Sequence, residues 1–399
     1  MSDHSALLEE TPRVFGDNNQ LVTDAASLRP LLEDAAAAHE ADGELLPEVV
    51  GALEAIGAFK MGAPRRLGGL GVSLTTMSDV VIELAKGCPS TAWVVSIINS
   101  CVWAASQTPL RMQRELFVDG VPKICQPQTV PGTAVSDGDD YLISGRWSYG
   151  SGSHHSDWAL CRVAQDKVMM IAAVPLSDLA IENTWQVAGM RGTGSDTLIA
   201  KDVRVPADRV CLASEMVRPK DGTEGYVVEL TDRFGYVPFL RSKALGVLVG
   251  IAEGLLEAAM SMADKPLLTT TYERKRDSAV FQAKVGEAAA KINAAKLVMY
   301  DGAGSNDRAA ADGRSLDYAE RSTNRGNVGV AIDLLTSAVD MLMTLSGSSA
   351  FANSNRAQRF WRDFGVSSRH IAFSVDASYE IYGRYKLGVD PNISPLEYI

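Results

Sequence analysis

Residues 145 to 161 read "GRWSYGSGSHHSDWALC". A tryptophan and a tyrosine stand among glycines and serines, two histidines follow, and then an apolar run begins. Exposed hydroxyls and bare backbone beside aromatic rings suit a metal site, a phosphate cradle, a sharp turn or a pocket for a planar ring. A zinc site needs three or four converging His, Cys or Asp side chains. His154 and His155 are adjacent, so on an extended segment they point to opposite faces, and only His4, His39 and His370 occur elsewhere. No metal site is expected. A nucleotide-type phosphate cradle opens onto a helix, whereas this loop opens onto strand-like sequence. The turn and the ring pocket are the readings left.

Around this loop, from about 121 to 215, the hydrophobic period is two. "PKICQPQTV", "DYLISGRWS", "DWALCRVA", "VMMIAAVPL" and "DTLIAKDVRVP" are β-rich and separated by Gly, Asp and Pro turns. Strands without intervening helices predict a compact antiparallel sandwich or barrel. On both sides the period is helical. "LPEVVGALEAIGAF" puts Val49, Leu53 and Ile56 on one face, "TTMSDVVIELAKG" offers Thr75 or Thr76 as cap and Gly87 as stop, and "STAWVVSIINSCVWAAS" reads as a buried central helix. After about 236 come four long helical candidates, the last being "NRAQRFWRDFGVSSRHIAFSVDASYEIYG". The fold class expected is therefore α+β, mostly α: an N-terminal helical domain (1–120), a central antiparallel β domain (121–215) and a C-terminal four-helix bundle (216–399).

Composition narrows the function. The chain has 399 residues, 46% hydrophobic and 22% charged, as in an ordinary globular enzyme. A net charge of −11 argues against a nucleic-acid groove. Five cysteines, Cys88, Cys101, Cys125, Cys161 and Cys211, are odd in number and widely spaced, which predicts reduced thiols rather than a disulfide framework. The polar N-terminus lacks a signal core, and no stretch approaches the roughly 18 apolar residues of a membrane span. A cytoplasmic protein with no membrane partner is expected.

Three further motifs bear on chemistry. "WQVAGMRGTGSDTLIAKDVRVPADRV" (185–210) brings a second Gly/Thr/Ser loop and Trp185 to the β domain. Together the two loops offer backbone N–H groups, hydroxyls and aromatic walls, the combination an isoalloxazine ring needs. In the last helix, helical spacing puts Asp363, Ser367, His370, Ser374 and Ala377 on one polar stripe, beside an apolar stripe of Phe364, Ile371, Val375, Tyr379 and Tyr382. A satisfied core histidine and a site histidine both fit that pattern. In "KGCPSTAWVVSI", Ser90 or Thr91 would cap a helix carrying Trp93 inward.

The pieces "GGLG", "GCPSTAW", "SGRWSYGSGSHHSDWAL", "GMRGTGSDTLIAKDVRVPADRV", "WRDFGVSSRH" and "YEIYGRYKLG", in this order along the whole chain, resemble the acyl-CoA dehydrogenase fold. More closely, the chain resembles the flavin-dependent monooxygenases built on it, the oxygenase components of two-component systems. These include p-hydroxyphenylacetate hydroxylases, dibenzothiophene monooxygenases and hydroxylases that tailor natural products. The resemblance implies that Gln126, Gln128 and Thr129 face the flavin's pyrimidine edge, and that Ser151 sits against N5 with Trp147 and Gly152 lining the ring. It implies that Thr193 and Ser195 approach the ring or its ribityl chain, that Arg241 meets the flavin phosphate, and that Trp93 faces the substrate. Ser348 and Ser349 occupy the place where a neighbouring subunit reaches the cofactor, which implies a homo-oligomer, a dimer of dimers.

Two departures separate the chain from the dehydrogenases. Their catalytic glutamate is missing and His370 stands near its position; and "YERKRDSAVFQ" is shortened where a dehydrogenase holds the FAD pyrophosphate. Both favour an oxygenase, and the second leans toward FMN over FAD without deciding between them. The implied activity takes reduced flavin (FMN or FAD) from a separate flavin reductase, forms a C4a-hydroperoxide with O2 and hydroxylates an aromatic, indole or polyketide-type molecule. His370 and Ser151 are the expected catalytic residues, with His370 as donor or as base. One of His154 and His155 is expected at the pocket rim, and segment 216 to 236 at its entrance. An acyl-CoA dehydrogenase-type oxidase, an N-oxygenase of an amino sugar and a non-catalytic scaffold are the alternatives.

Overall fold

The computed structural model describes residues 19–217, 220, 225–390 and 392–393. Six helices come first: α1 (Asn19–Ser27), α2 (Arg29–Asp42), α3 (Pro47–Ala55), α4 (Leu74–Gly87), α5 (Pro89–Ser106) and α6 (Leu110–Leu116). α4 stops at Gly87, but its cap is Ser73 rather than Thr75 or Thr76, with Ser73 Oγ accepting from the Thr76 N–H at 3.0 Å. Neither Ser90 nor Thr91 caps α5. That helix begins at Pro89, whose fixed φ and missing N–H suit a first position. α5 is buried along almost its whole length, as its apolar sequence predicts.

Eight strands follow: β1 (Ile124–Cys125), β2 (Gly132–Asp137), β3 (Asp140–Trp147), β4 (Trp158–Gln165), β5 (Val168–Pro175), β6 (Ala180–Glu182), β7 (Thr197–Pro206) and β8 (Val210–Leu212). They form one sheet in the order β6-β7-β3-β2-β4-β5-β8, with β1 also pairing β4. The expected purely antiparallel arrangement is corrected, because β1 and β2 run parallel to β4. "PKICQPQTV" pairs over only two residues; Pro127 has no N–H to give a ladder. Alternation decides what each face of the sheet meets. Ala159, Cys161 and Val163 of β4 enter the sheet's own core, while Leu160 joins the helical core.

Helices then resume with α7 (Ala213–Val217), α8 (Tyr236–Met260), α9 (Ala279–Ala311), α10 (Tyr318–Ser346), α11 (Arg356–Ser367) and α12 (Val375–Leu387). Helices from both ends of the chain share one hydrophobic core. α10 is long and apolar enough to cross a membrane by length and composition, contrary to the expectation, yet it packs against α8, α9 and α12.

The fourth predicted bundle helix is broken. After Ser367 the chain leaves α11, makes a 3-10 turn at Ile371–Phe373 and restarts as α12. The reason is local. Ser367 Oγ bonds back to the Asp363 carbonyl at 2.7 Å, and His370 Nδ1 accepts the Ala372 N–H at 3.2 Å. Such side-chain bonds to backbone compete with helix continuation. The stripes through Asp363–Ala377 and Phe364–Tyr382 are therefore interrupted; Ile371, assigned to the apolar one, is 74% exposed.

Candidate active site

A cavity of about 550 Å³ lies between α5, the loops of the sheet, α8 and the break after α11. That volume suits a drug-sized or cofactor-sized ligand. Its α5 wall is Trp93, Ile97 and Ser100, at i, i+4 and i+7 of one helical face, with Cys101 beside Ser100. Tyr236 and Leu240 face it from α8, and His370, Arg369 and Ile371 from the break. Among the described residues no aspartate or glutamate lines it.

The two Gly/Ser/Thr loops meet there because β3 and β7 pair, with Trp147 opposite Leu198. Past that pair the loops are bonded to each other. Gly150 N–H donates to the Asp196 carbonyl at 3.0 Å, Gly152 N–H to the Thr193 carbonyl at 2.9 Å, and Ser153 Oγ to the Gly194 carbonyl at 3.2 Å. Asp196 is the organiser: its carboxylate accepts from the N–H groups of Thr184 and Trp185 and meets His154 Nε2 at 2.8 Å. Ser151, Thr193 and Ser195 thereby reach the cavity wall, where their hydroxyls form a file with 2.7 Å between neighbours.

His370 is neutral at physiological pH, because burial pushes its imidazole down to about 4. Its Nδ1 is occupied as an acceptor by Ala372 N–H, so the ring's proton sits on Nε2 and that nitrogen is a donor. The Trp93 indole packs edge-to-face on it.

A flavin fits these groups. Gln126 Nε2 and Thr129 Oγ1 are buried atoms of cavity-lining residues with no hydrogen-bond partner among the described residues. Unmatched buried polar groups are costly, and the carbonyl-rich edge of a flavin ring would satisfy a free amide donor and a hydroxyl. Gln126, Gln128 and Thr129 stand on the loop after β1, not on a strand, yet all three line the cavity.

Several expected site residues lie elsewhere. Trp147 is fully buried in the sheet's core, its indole N–H donating to the Arg162 carbonyl at 2.8 Å, so it does not line the ring pocket. Gly152 faces α5 instead: at φ +74°, a Cβ there would stand 3.3 Å from Val94 and 3.4 Å from Ile98. Arg241 is one residue past Leu240, a 100° turn of the helix, and lines a separate cleft with Pro238, Asn306 and Asn324. Ser348 and Ser349 are exposed on a 3-10 turn beyond α10 and do not reach this chain's cavity. Neither His154 nor His155 faces the pocket. His154 locks onto Asp196, and His155 Nε2 accepts the Leu45 N–H at 3.1 Å, where burial lowers its pKa to about 4. Of the segment 216 to 236, Tyr236 lines the cavity, while 218–219 and 221–224 lie outside the described residues.

Sequence reasoning missed Ser100, Cys101, Tyr149, Met190 and Tyr236 on the wall. α5 is apolar on every side, so no polar face revealed which stripe looks into the cavity. Tyr149 adopts φ +65° and packs edge-on to Trp185, a conformation that tyrosine does not advertise.

Comparison with known proteins agrees with this geometry. XiaF from Streptomyces sp., solved in complex with FADH2 and glycerol, superposes with a TM-score of 0.90 at 31% identity, covering 94% of this chain and 97% of that one. The flavin-dependent monooxygenase oxygenase subunit HsaA of Mycobacterium tuberculosis is 28% identical over 375 residues, 92% of this chain and 94% of its own length. The oxygenase component of the FADH2-dependent resorcinol hydroxylase of Rhizobium sp. is 28% identical over 388 residues, 93% and 95% of the two chains. Residues 25–118 match the acyl-CoA dehydrogenase N-terminal domain and residues 244–375 the acyl-CoA dehydrogenase C-terminal domain, together more than half of the sequence. The chain belongs to the acyl-CoA dehydrogenase family.

Proposed function

We propose that this chain is the oxygenase component of a two-component flavin-dependent monooxygenase. It takes reduced flavin from a separate reductase in the cytoplasm and hydroxylates an aromatic small molecule with O2. The observation that carries the proposal is the meeting of Ser151, Thr193, Ser195 and His370 around one cavity that, among the described residues, is lined by no carboxylate. FADH2 is the flavin of choice, since it is the form named for XiaF and for the resorcinol hydroxylase. The lean toward FMN drawn from the shortened segment gains no support from these relatives.

Reduced flavin bound here would supply the electrons that activate dioxygen. The protein's own work is positioning and exclusion. Gln126 and Thr129 offer their unpartnered polar atoms to the ring edge, and Ser151 addresses the ring from the hydroxyl file. Trp93, Ile97, Trp185 and Met190 keep water from the reacting region. His370, neutral and with Nε2–H free to donate, stabilises negative charge on oxygen and cannot take a proton at that nitrogen, so the donor role is preferred over the base. Among the described residues of the wall no carboxylate stands ready to remove an α-proton from a thioester, which disfavours the dehydrogenase alternative. Ser348 and Ser349 would serve the cofactor of a neighbouring subunit in a homo-oligomer.

The test is rapid mixing of the protein and FADH2 with oxygenated buffer. A long-lived absorbance distinct from both reduced and oxidised flavin supports the proposal. Reoxidation at the rate of free flavin, with no such phase, refutes it.

A further inference from the structure

We propose that Lys243, reached through the Ser100 hydroxyl, is the proton acceptor of this cavity, and that the substrate lays a phenolic hydroxyl on Ser100. The inference rests on the functional reading above and supplies the base which that reading lacks.

Few groups around the cavity are able to take a proton. Among the described residues no carboxylate lines it, and His370 presents Nε2 as a donor. The Cys101 thiol on the wall is kept protonated by burial. Ser100, one residue before it, lines the same wall, and behind Ser100 stands an amine. Lys243 is fully buried on α8, with Nζ 2.6 Å from Ser100 Oγ and 3.1 Å from the Phe239 carbonyl. Among the described residues no Asp or Glu pairs with it; its titratable neighbour is the Cys101 thiol of α5, which Cys125 of β1 faces in turn. An amine buried without a counter-charge stays neutral and keeps its lone pair.

The Ser100 hydroxyl owns one hydrogen and has two places for it, the Ser96 carbonyl at 2.9 Å and the Lys243 lone pair at 2.6 Å. With the hydrogen on either side, Oγ keeps a lone pair that accepts from the cavity. When a phenol sits there, its O–H bond breaks and the proton passes to Ser100 Oγ as the Ser100 hydrogen passes to Nζ. The electron pair stays on the ring oxygen, which becomes a phenolate, and the amine becomes an ammonium. The Phe239 carbonyl and the face of the Phe239 ring, 4.0 Å from Nζ, receive that cation. The phenolate ring is richer in electrons and takes oxygen more readily. The ammonium later returns its proton to the product's oxygen, which resets the pair. Ser100 touches the substrate, whereas Lys243 acts through it and is a positioning residue for the proton. A substrate with no acidic O–H leaves the pair idle.

The probe is para-nitrophenol, colourless as the phenol and yellow as the phenolate. It is added to the full chain in weakly buffered solution at a pH where the free probe is colourless. The wild type should turn the bound probe yellow without releasing a proton, because the proton stays on Lys243. An ammonium about 4–6 Å away lowers an acid's midpoint by roughly 1–3 units, so the bound probe should ionise at least about tenfold more readily than the free one. Lys243→Met and Ser100→Ala should each abolish that shift, while para-nitroanisole, which has no O–H, binds wild type and variants alike. A purely structural disturbance would weaken both probes together and spare the shift. Should Lys243→Met lose para-nitroanisole as well, Ser100→Ala carries the test. A wild type that does not bind para-nitrophenol, or binds it colourless, overturns the assignment. So does colour kept in both variants, and so does colour with a proton released for each probe bound, the mark of a lysine already charged. A colourless probe beside a long-lived phase in the rapid-mixing test sinks this pair alone; reoxidation at the free-flavin rate sinks the functional reading beneath it.

Discussion

The His370 imidazole and the Trp93 indole meet edge-to-face, with ring centroids 5.3 Å apart and planes 71° apart. One comes from the break after α11 and the other from the first turns of α5, so the contact joins the two helical regions across the cavity. It restricts the imidazole to one orientation, with Nδ1 already committed to Ala372. His370→Ala should lower the hydroxylation rate by roughly 10²-fold or more and reduce product formed per flavin oxidised, with flavin affinity little changed. His370→Asn, which keeps an N–H donor, should recover part of the loss. Unaltered coupling in the alanine variant would remove His370 from the chemistry.

The pH dependence has a defined sign. His370 titrates at about 4 when folded, below its unfolded value of about 6.5. As pH falls, the unfolded chain takes up the proton first. The contribution to stability is thus complete above about 6.5 and is lost toward 4. His39 and His155, both pushed to about 4 by burial, act in the same direction. Asp363, raised to about 7 by burial, and Asp307, raised to about 6, act in the opposite one, keeping a proton in the folded state. Asp363→Asn should therefore steepen the loss of urea resistance between pH 7 and 5. In the wild type, an NMR titration should show His370 neutral from pH 6 to 8; a midpoint near 6.5 would contradict this.

Asp196 satisfies two backbone N–H groups and one histidine at once. Asp196→Ala orphans the amides of Thr184 and Trp185 at the base of the second loop, which should cost about 1–3 kcal/mol. A thermal melt measures the loss, and flavin affinity should fall with it. Retention of the wild-type melting temperature would show that the loops are held by other means.

Gly189 lies against α11, and a Cβ added there would sit 2.3 Å from the Arg362 carbonyl. Gly189→Ala should prise the 188–190 loop from α11, loosening the Met190–Asp363 bond and weakening flavin binding. The check is equilibrium binding combined with amide exchange at Met190. Full protection of that amide in the variant would exclude the mechanism.

Lys243 is fully buried on α8; its Nζ donates to Ser100 Oγ at 2.6 Å and to the Phe239 carbonyl at 3.1 Å, over the Phe239 ring. Burial pushes its pKa well below the usual lysine range. The unfolded chain is protonated first as pH falls below about 10.4, so by neutral pH this lysine reduces stability. Lys243→Met should raise the melting temperature at pH 7 and flatten its pH dependence between 7 and 10. A lower melting temperature at pH 7 would show that the two hydrogen bonds outweigh the desolvation.

The order of helices, strands and helices was legible because period and turn chemistry are local signals, and so was the gathering of Ser151, Thr193, Ser195 and His370 at one place. The resemblance supplied that grouping, since no local signal links residues so far apart in the chain. What could not be read was the direction of individual side chains. Trp147 and Trp93 look alike in sequence, yet strand alternation sends one into the sheet's core and helix phase sends the other to the cavity. The break at Ser367–Ser374 was hidden because its residues keep a helical period, while the side-chain bonds of Ser367 and His370 that end the helix leave no periodic trace.

That interruption divides the end of the chain into two parts with separate duties. α11 is stapled to the middle of the molecule through Arg362 and Asp363, whereas α12 lies along α10. Drift of α12 over the outer bundle need not drag the imidazole with it, because the ring takes its aim from the joint itself. Natural variation could thus reshape the mouth of the pocket from this short joint while the turns that would cradle the tricyclic ring stay as they are.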